Sequence, residues 1–252
     1  MRKTDAAPRI EPRAYPADRA IAIYGIVPAR YAGRKFIVDG KRTIVVRWDS
    51  VALVTNYVDP SEFSADQIER RRADRKWLRE RARHHERVLE RLRVPEILPV
   101  PFLTTFEDLA ALESAVRKRR SRWRASLARI AGKVEYGVHV FSGPHALPEP
   151  EPYLLRVSAR ARTQRRGQAR DEPTTEIDRH VARIWEACSG AAVEVRRFET
   201  PGARGFALGA AVLAEERDDA TLRMMLSALE RSGRALGVAI YLEGPRIPYT
   251  FG

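Results

Sequence analysis

The residues able to do chemistry in this chain are few. There are five histidines (His84, His85, His139, His145 and His180) and a single cysteine, Cys188. Metal sites need three or four such ligands, two of them close together, and no His-Glu-x-x-His or paired Cys-x-x-Cys spacing occurs. No Gly-x-Ser-x-Gly elbow, Gly-x-x-x-x-Gly-Lys-Ser/Thr loop or Gly-x-Gly-x-x-Gly fingerprint is present either. Gly202, Gly205 and Gly209 are spaced wrongly to cradle a phosphate, and they predict a turn and tight packing beside a strand. His85 falls on an apolar helix stripe and reads as a hydrogen-bonded core histidine. Lys133 and Glu135 share a strand face. With no second carboxylate nearby in sequence, they suit a structural or interface ion pair better than an acid/base couple. The expectation is a protein that is not an enzyme, with no catalytic, metal or cofactor-binding residue and no small-molecule substrate.

Charge points elsewhere. The chain has 46 basic and 33 acidic residues, a formal net charge of +13, and most of the basic residues are arginine. Such an excess suits a nucleic acid, an anionic membrane or an acidic partner, and equally a merely solvated basic surface. Arg204-Gly205-Phe206-Ala207 has the opening pattern of an RNA recognition strand. The positions that should carry the further stacking aromatics hold Leu208 and Ala211 instead, and flat rings are what hold bases. A basic RNA-binding protein built on a domain resembling an RNA recognition motif is therefore the alternative reading. Any polyanion binding by the arginines of Gln164–Arg170 and Ser64–Arg93 should be nonspecific and salt-dependent.

The elements that would position these residues follow from periodicity. At 252 residues, 44% hydrophobic and 31% charged, the chain can bury a sizeable core. No apolar run approaches the ~20 residues of a membrane-spanning helix, so no membrane partner is expected. The lone cysteine fits a reducing cytoplasm and a small buried side chain. Met1–Asp18 is polar, proline-containing and expected to be disordered. Strands are predicted at Ala20–Val27, Thr43–Trp48 and Val51–Val58. A long helix follows over Ser64–Arg93, capped by Ser64 with Gln67, stapled by Phe63 and Ile68, and striped by Leu78, Ala82, His85, Leu89 and Leu92. A strand at Ile97–Phe102 leads to a second long helix, Phe106–Ile130, with Leu109, Leu112, Val116, Trp123, Leu127 and Ile130 inward. These make an N-terminal α/β domain, residues 19–131, with a mixed sheet and two long helices.

Residues 132–252 read as a second domain. In Lys133–Phe141, Val134, Tyr136, Val138 and Val140 should face a core, with Lys133, Glu135 and His139 on a polar face. The proline-rich linker Gly143–Pro152 precedes helix between Tyr153 and Cys188, interrupted at Gln164–Pro173. Strands Ala192–Phe198 and Phe206–Leu213, a helix from Asp218 to Gly233 and a strand Gly237–Leu242 complete the order β-α-β-β-α-β, a ferredoxin-like half of an α+β protein. The outer sheet positions are assigned to the third and fourth strands, so Gly237–Leu242 should be an edge. Gly244-Pro245 should end that strand, and the aromatic segment holding Tyr249 and Phe251 should be tied down.

Several of these segments, in order, resemble the gas vesicle protein GvpL/GvpF family. LEGPRIPYTF (Leu242–Phe251) is similar to its Gly-Pro-x-x-Pro-Tyr-(Ser/Thr)-Phe ending, with Arg246 for a usual tryptophan and Ile247 for a proline. AIAIYGIVP (Ala20–Pro28), SVALVTNYVDPSEF (Ser50–Phe63), HERVLERL (His85–Leu92) with ILPVPFLTTF (Ile97–Phe106), and GKVEYGVHV (Gly132–Val140) resemble its other segments. The resemblance implies a gas vesicle assembly or accessory protein, cytoplasmic and associated with gas vesicles. Its partners would be the hydrophobic shell protein, bound during nucleation or assembly, and other accessory proteins, with no specific nucleic acid. Lys133, Glu135, Tyr249 and Phe251 are the candidate partner interface.

Overall fold

The computed structural model describes residues 18–144, 152–156, 175–199 and 203–252. Most or all of the Met1–Asp18 segment, the Gly143–Pro152 linker and the Gln164–Pro173 interruption lie outside them, as do His145 and Gly202. The protein is α+β, with two antiparallel sheets. Its residues group into two compact units, one closing at Ala131 and the other running Gly132–Phe251.

In the first unit β1 (Ala20–Pro28) lies mid-sheet. The order is β2 (Lys35–Val38), β3 (Lys41–Trp48), β4 (Val51–Val58), β1, β5 (Leu98–Pro99), and β6 (Thr105–Phe106) also pairs with β1. β1 and β4 are apolar at nearly every position and buried on both faces. Every pairing is antiparallel, which corrects the expected mixed sheet. β4 and β5 do run in the same direction, but β1 lies between them, so the two never touch. β2 was not anticipated. Asp39 and Gly40, both with positive φ, form a two-residue turn between Val38 and Lys41, a strong local hairpin signal.

The long helix expected over Ser64–Arg93 is three helices: α1 (Pro60–Phe63), α2 (Ala65–Arg71) and α3 (Arg75–Leu92). Ser64 does cap α2, accepting from Gln67 N at 3.4 Å, and Phe63 and Ile68 are buried. The Asp74 carboxylate then accepts from the amides of Lys76 and Trp77, both at 3.0 Å, and starts a new helix there. The strand expected at Ile97–Phe102 shrinks to β5, because Pro99 and Pro101 have no N–H for a ladder. α4 (Leu109–Ile130) opens where Asp108 caps Ala111 N at 2.7 Å, and it buries Leu112, Val116, Leu127 and Ile130.

The second unit runs β7 (Lys133–Ser142), α5 (Glu176–Ala191), β8 (Glu194–Phe198), β9 (Phe206–Glu215), α6 (Asp219–Gly233) and β10 (Val238–Arg246), with a helical turn at 153–156 before α5. The sheet order is β10-β7-β9-β8, antiparallel throughout. The edges are therefore the fourth strand, as expected, and the second, whereas the third, β9, is interior. Tyr136, Val138 and Val140 pack with Leu208, Ala210 and Val212 against Val181, Ile184 and Cys188 of α5 and Leu222 and Leu226 of α6. Gly209 admits no side chain, since a Cβ there would lie 2.4 Å from the Phe198 ring. Gly244-Pro245 does not end the last strand. β10 continues through an irregularity after Glu243, and Arg246 pairs with Glu135.

Candidate functional site

The face of β7 opposite the helices is the one expected to be polar. It is buried: Glu135, His139 and Phe141 are all less than 5% exposed. A buried carboxylate needs donors, because desolvation of an unpaired charge is costly. Glu135 has them. One oxygen, Oε2, accepts from Thr250 N at 2.7 Å. Its Oε1 accepts from the Thr250 hydroxyl at 2.5 Å and from the Tyr153 hydroxyl. The strand and the helical turn are thereby tied to the aromatic segment after β10.

Arg196, on the edge strand β8, completes the closure. Its Nη1 donates to Thr250 O at 2.6 Å, its guanidinium stands 4.9 Å over the Phe251 ring, and Glu194 holds it at 2.8 Å. Thr250 is thus pinned through both its N–H and its C=O. Phe251 is fully buried, and Tyr249 packs edge-on to Tyr153 at 5.9 Å. Gly244 makes this path possible. Its φ is +112°, and a Cβ there would meet Glu135 O at 2.7 Å.

A second carboxylate lies on the same face. Burial disfavours the charge of Glu243, but the His139 ring, 3.5 Å away, and the Arg156 guanidinium outweigh it and hold the carboxyl at about 2. His139 is wedged between that carboxylate and the Phe198 ring, 5.1 Å away. The edge strand β10 is partly blocked. Ile240 N, turned away from β7, donates to Glu230 Oε1 at 3.3 Å, and Arg223 donates to Gly244 O at 2.9 Å.

Of the four candidate interface residues, Glu135 holds the segment through Thr250, Phe251 is buried within the segment, and Tyr249 is half-buried in it. Lys133 stands apart. It pairs with Glu215 at 3.6 Å. Sequence reasoning missed Tyr153, Arg156, Arg196 and Glu243, which sit far from β7 along the chain. Burial pushes the Cys188 thiol up to about 12 and His85 down to about 3, and His180 is held at 2.9 Å by Leu229 O. Among the described residues no cluster of His, Cys, Asp or Glu could hold a metal, and no helix is long and apolar enough to cross a membrane.

A sequence profile for "Gas vesicle synthesis protein GvpL/GvpF" matches residues 20–252. The chain belongs to the GvpL/GvpF family. It is 26% identical to gas vesicle protein L of Streptomyces sp. (strain CB03234) over 243 residues, 90% of this chain and 88% of that one. The fold is shared with the crystal structure of GvpF from Anabaena sp. PCC7120, with a TM-score of 0.64, 15% identity, and 92% and 98% of the two chains covered. GvpF from Microcystis aeruginosa gives a TM-score of 0.63 at the same identity and coverage. Membership of a gas vesicle family agrees with the resemblance and leaves RNA recognition without support. The sheet face on which an RNA recognition motif lays its bases is the buried one here, with Ala211 and Leu213 fully covered and Phe206 packed on Phe141 at 5.7 Å.

Proposed function

We propose that this GvpL/GvpF-family protein is a non-enzymatic accessory factor of gas vesicle assembly, cytoplasmic and vesicle-associated. It binds the hydrophobic shell protein, alongside other accessory proteins, while the shell nucleates or grows. The observation that carries this reading is the span of the family match, which takes in every element from β1 to the segment after β10. The second unit reads as a ferredoxin-like split βαβ, with residues 132–252 as one domain and residues 19–131 as another. A shell subunit must expose apolar strand surface in order to polymerise, and a soluble sheet edge can shield it until it does.

The contact surface in this reading is β10 with residues 247–251. Glu135 fixes the segment through Thr250, Phe251 anchors it by burial, and Tyr249 meets the partner. Glu230 acts as a stopper on the β10 amides. Tyr249→Ala should abolish capture of purified shell subunit while the melting temperature changes little. Phe251→Ala should lower both together, and Glu230→Ala should strengthen capture by exposing Ile240 N. The reading fails if the wild-type protein captures no shell subunit and a deletion strain still makes vesicles.

A further inference from the structure

The sheet of the first unit is covered unevenly. On the side where Tyr24 packs against His84 and His85 of α3, Val38, Thr43 and Val45 are buried out to the sheet edge. The opposite side is buried where α4 lies against β1 and β4, at Ile23, Leu53 and Thr55. Further out it opens. Ile44 and Val46 pair with Thr55 and Leu53 and so share that face, yet they and Trp48 are only half-buried. Ile37, opposite Arg42 on the edge strand β2, is 68% exposed. Helices packed side by side on a sheet stand 8–10 Å apart, so the strip over β3 and β2 has room for one more beside α4.

The charge around this strip has one sign. Arg120 reaches Asp49, in the turn from β3 to β4, at 3.4 Å, so its flank of α4 borders the strip. Arg117 and Arg124 lie one turn away on the same flank, and all three are exposed. No acidic residue occurs between Ser114 and Ala131. Lys35 and Arg42 stand on the other side, and Asp49 is the only carboxylate ion-paired with any of these five cations among the described residues. A second copy of the chain, itself at +13, would bring like charge to the strip. A nucleic acid would match the arginines and leave the aliphatic side chains uncovered.

We infer that this strip docks an acidic amphipathic helix of a partner protein, with its apolar face on Ile37, Ile44 and Val46 and its carboxylates against Arg117, Arg120 and Arg124. The surface belongs to the first unit alone and stands apart from shell-protein contact at β10. Fluorescence anisotropy of a labelled helical peptide of about 18 residues, with leucine along one stripe and glutamate on its flanks, tests it on the full chain at physiological salt. The peptide should bind saturably, and a counterpart with lysine for glutamate at least about tenfold more weakly. Arg117→Glu together with Arg124→Glu should weaken binding about tenfold. Ile37→Ser, at a site too exposed to matter to the fold, should weaken it about fivefold. Arg83→Glu with Arg91→Glu, an equal charge change at exposed positions of α3, should stay within about twofold of wild type. No saturable binding, equal binding of the two peptides, unchanged affinity in either strip variant, or an equal loss in the α3 pair would each overturn it. So would a DNA duplex that binds as tightly and is indifferent to Ile37→Ser.

Discussion

The two units share a strand plan and differ in how they seal it. Each places its first strand inside the sheet, β1 between β4 and β5, β7 between β9 and β10, and each reaches the far neighbour through a helical crossover. In the first unit both faces of the inner strands are closed by apolar area, as in the run Val51–Val54, all fully buried. In the second, the helix side is closed that way, and the other side mixes apolar area such as Phe141, Leu213 and Phe251 with polar groups. Those polar groups include the buried carboxylate of Glu135 and the partly buried one of Glu243, held by a helical turn and an extended segment. Apolar closure is tolerant, since area counts and direction does not. Polar closure is specific, because each donor must arrive or its acceptor is stranded.

Substitutions can break that contrast or sharpen it. The largest effect is expected from Glu135→Ala, which strands the Thr250 amide and hydroxyl and the Tyr153 hydroxyl together. It should cost about 4 kcal/mol. Hydrogen exchange should show the loss across the second unit, beginning at residues 247–251, with the first unit unchanged. Protection retained at those residues would mean that apolar area holds them after all. In the first unit Leu89→Ala, at a fully buried site on α3, should cost about 3 kcal/mol by transfer and cavity alone. The Leu89→Ala loss should be largely recovered in Leu89→Met, whereas Glu135→Gln should stay impaired, because an amide cannot accept on both sides.

Acid should distinguish the units next, by on the order of 2 kcal/mol each. The buried His85 titrates at about 3 against an ordinary 6.5, so the unfolded chain binds the extra proton in that window. Its contribution is complete above 6.5 and drains away as the pH falls towards 3. Glu243 titrates at about 2 against 4.5, so its contribution holds above 4.5 and is lost only as the pH falls towards 2. Urea unfolding followed by exchange at pH 7, 5 and 3.5 should show the first unit weakening earlier, and His85→Gln should remove that early loss. The smallest effect should come from Arg120→Ala, whose partner Asp49 lies 3.4 Å away in solvent. It should change stability by less than about 0.5 kcal/mol.

What was legible in the sequence follows the same division. β1, β4, the helix face of β7 and the Ser64 cap are local or periodic signals, and they stand where the spacing put them. The Asp74 cap was also local, as was the Asp39-Gly40 turn that announces β2, and both were readable but overlooked. The closure of the second face was not readable in that way. Alternation shows that Glu135 and His139 leave the helix side of β7, and polar character then argues for solvent. Only the return of Tyr153, Arg196 and Thr250 from distant parts of the chain reverses that inference. No periodicity encodes such a meeting.

The inner position of β7 bears on how the protein comes to be folded. Val138 pairs with Ala210 on one side and Leu242 on the other, so both neighbours are supplied by chain made much later. Local hairpins cannot shelter such a strand, and loop closure over long spans slows its completion. During synthesis it therefore waits with both ladders open, an apolar template for any strand nearby. A protein of a gas vesicle family would meet during its own birth the hazard that a polymerising strand poses, and expression beside a holdase chaperone should raise its soluble yield.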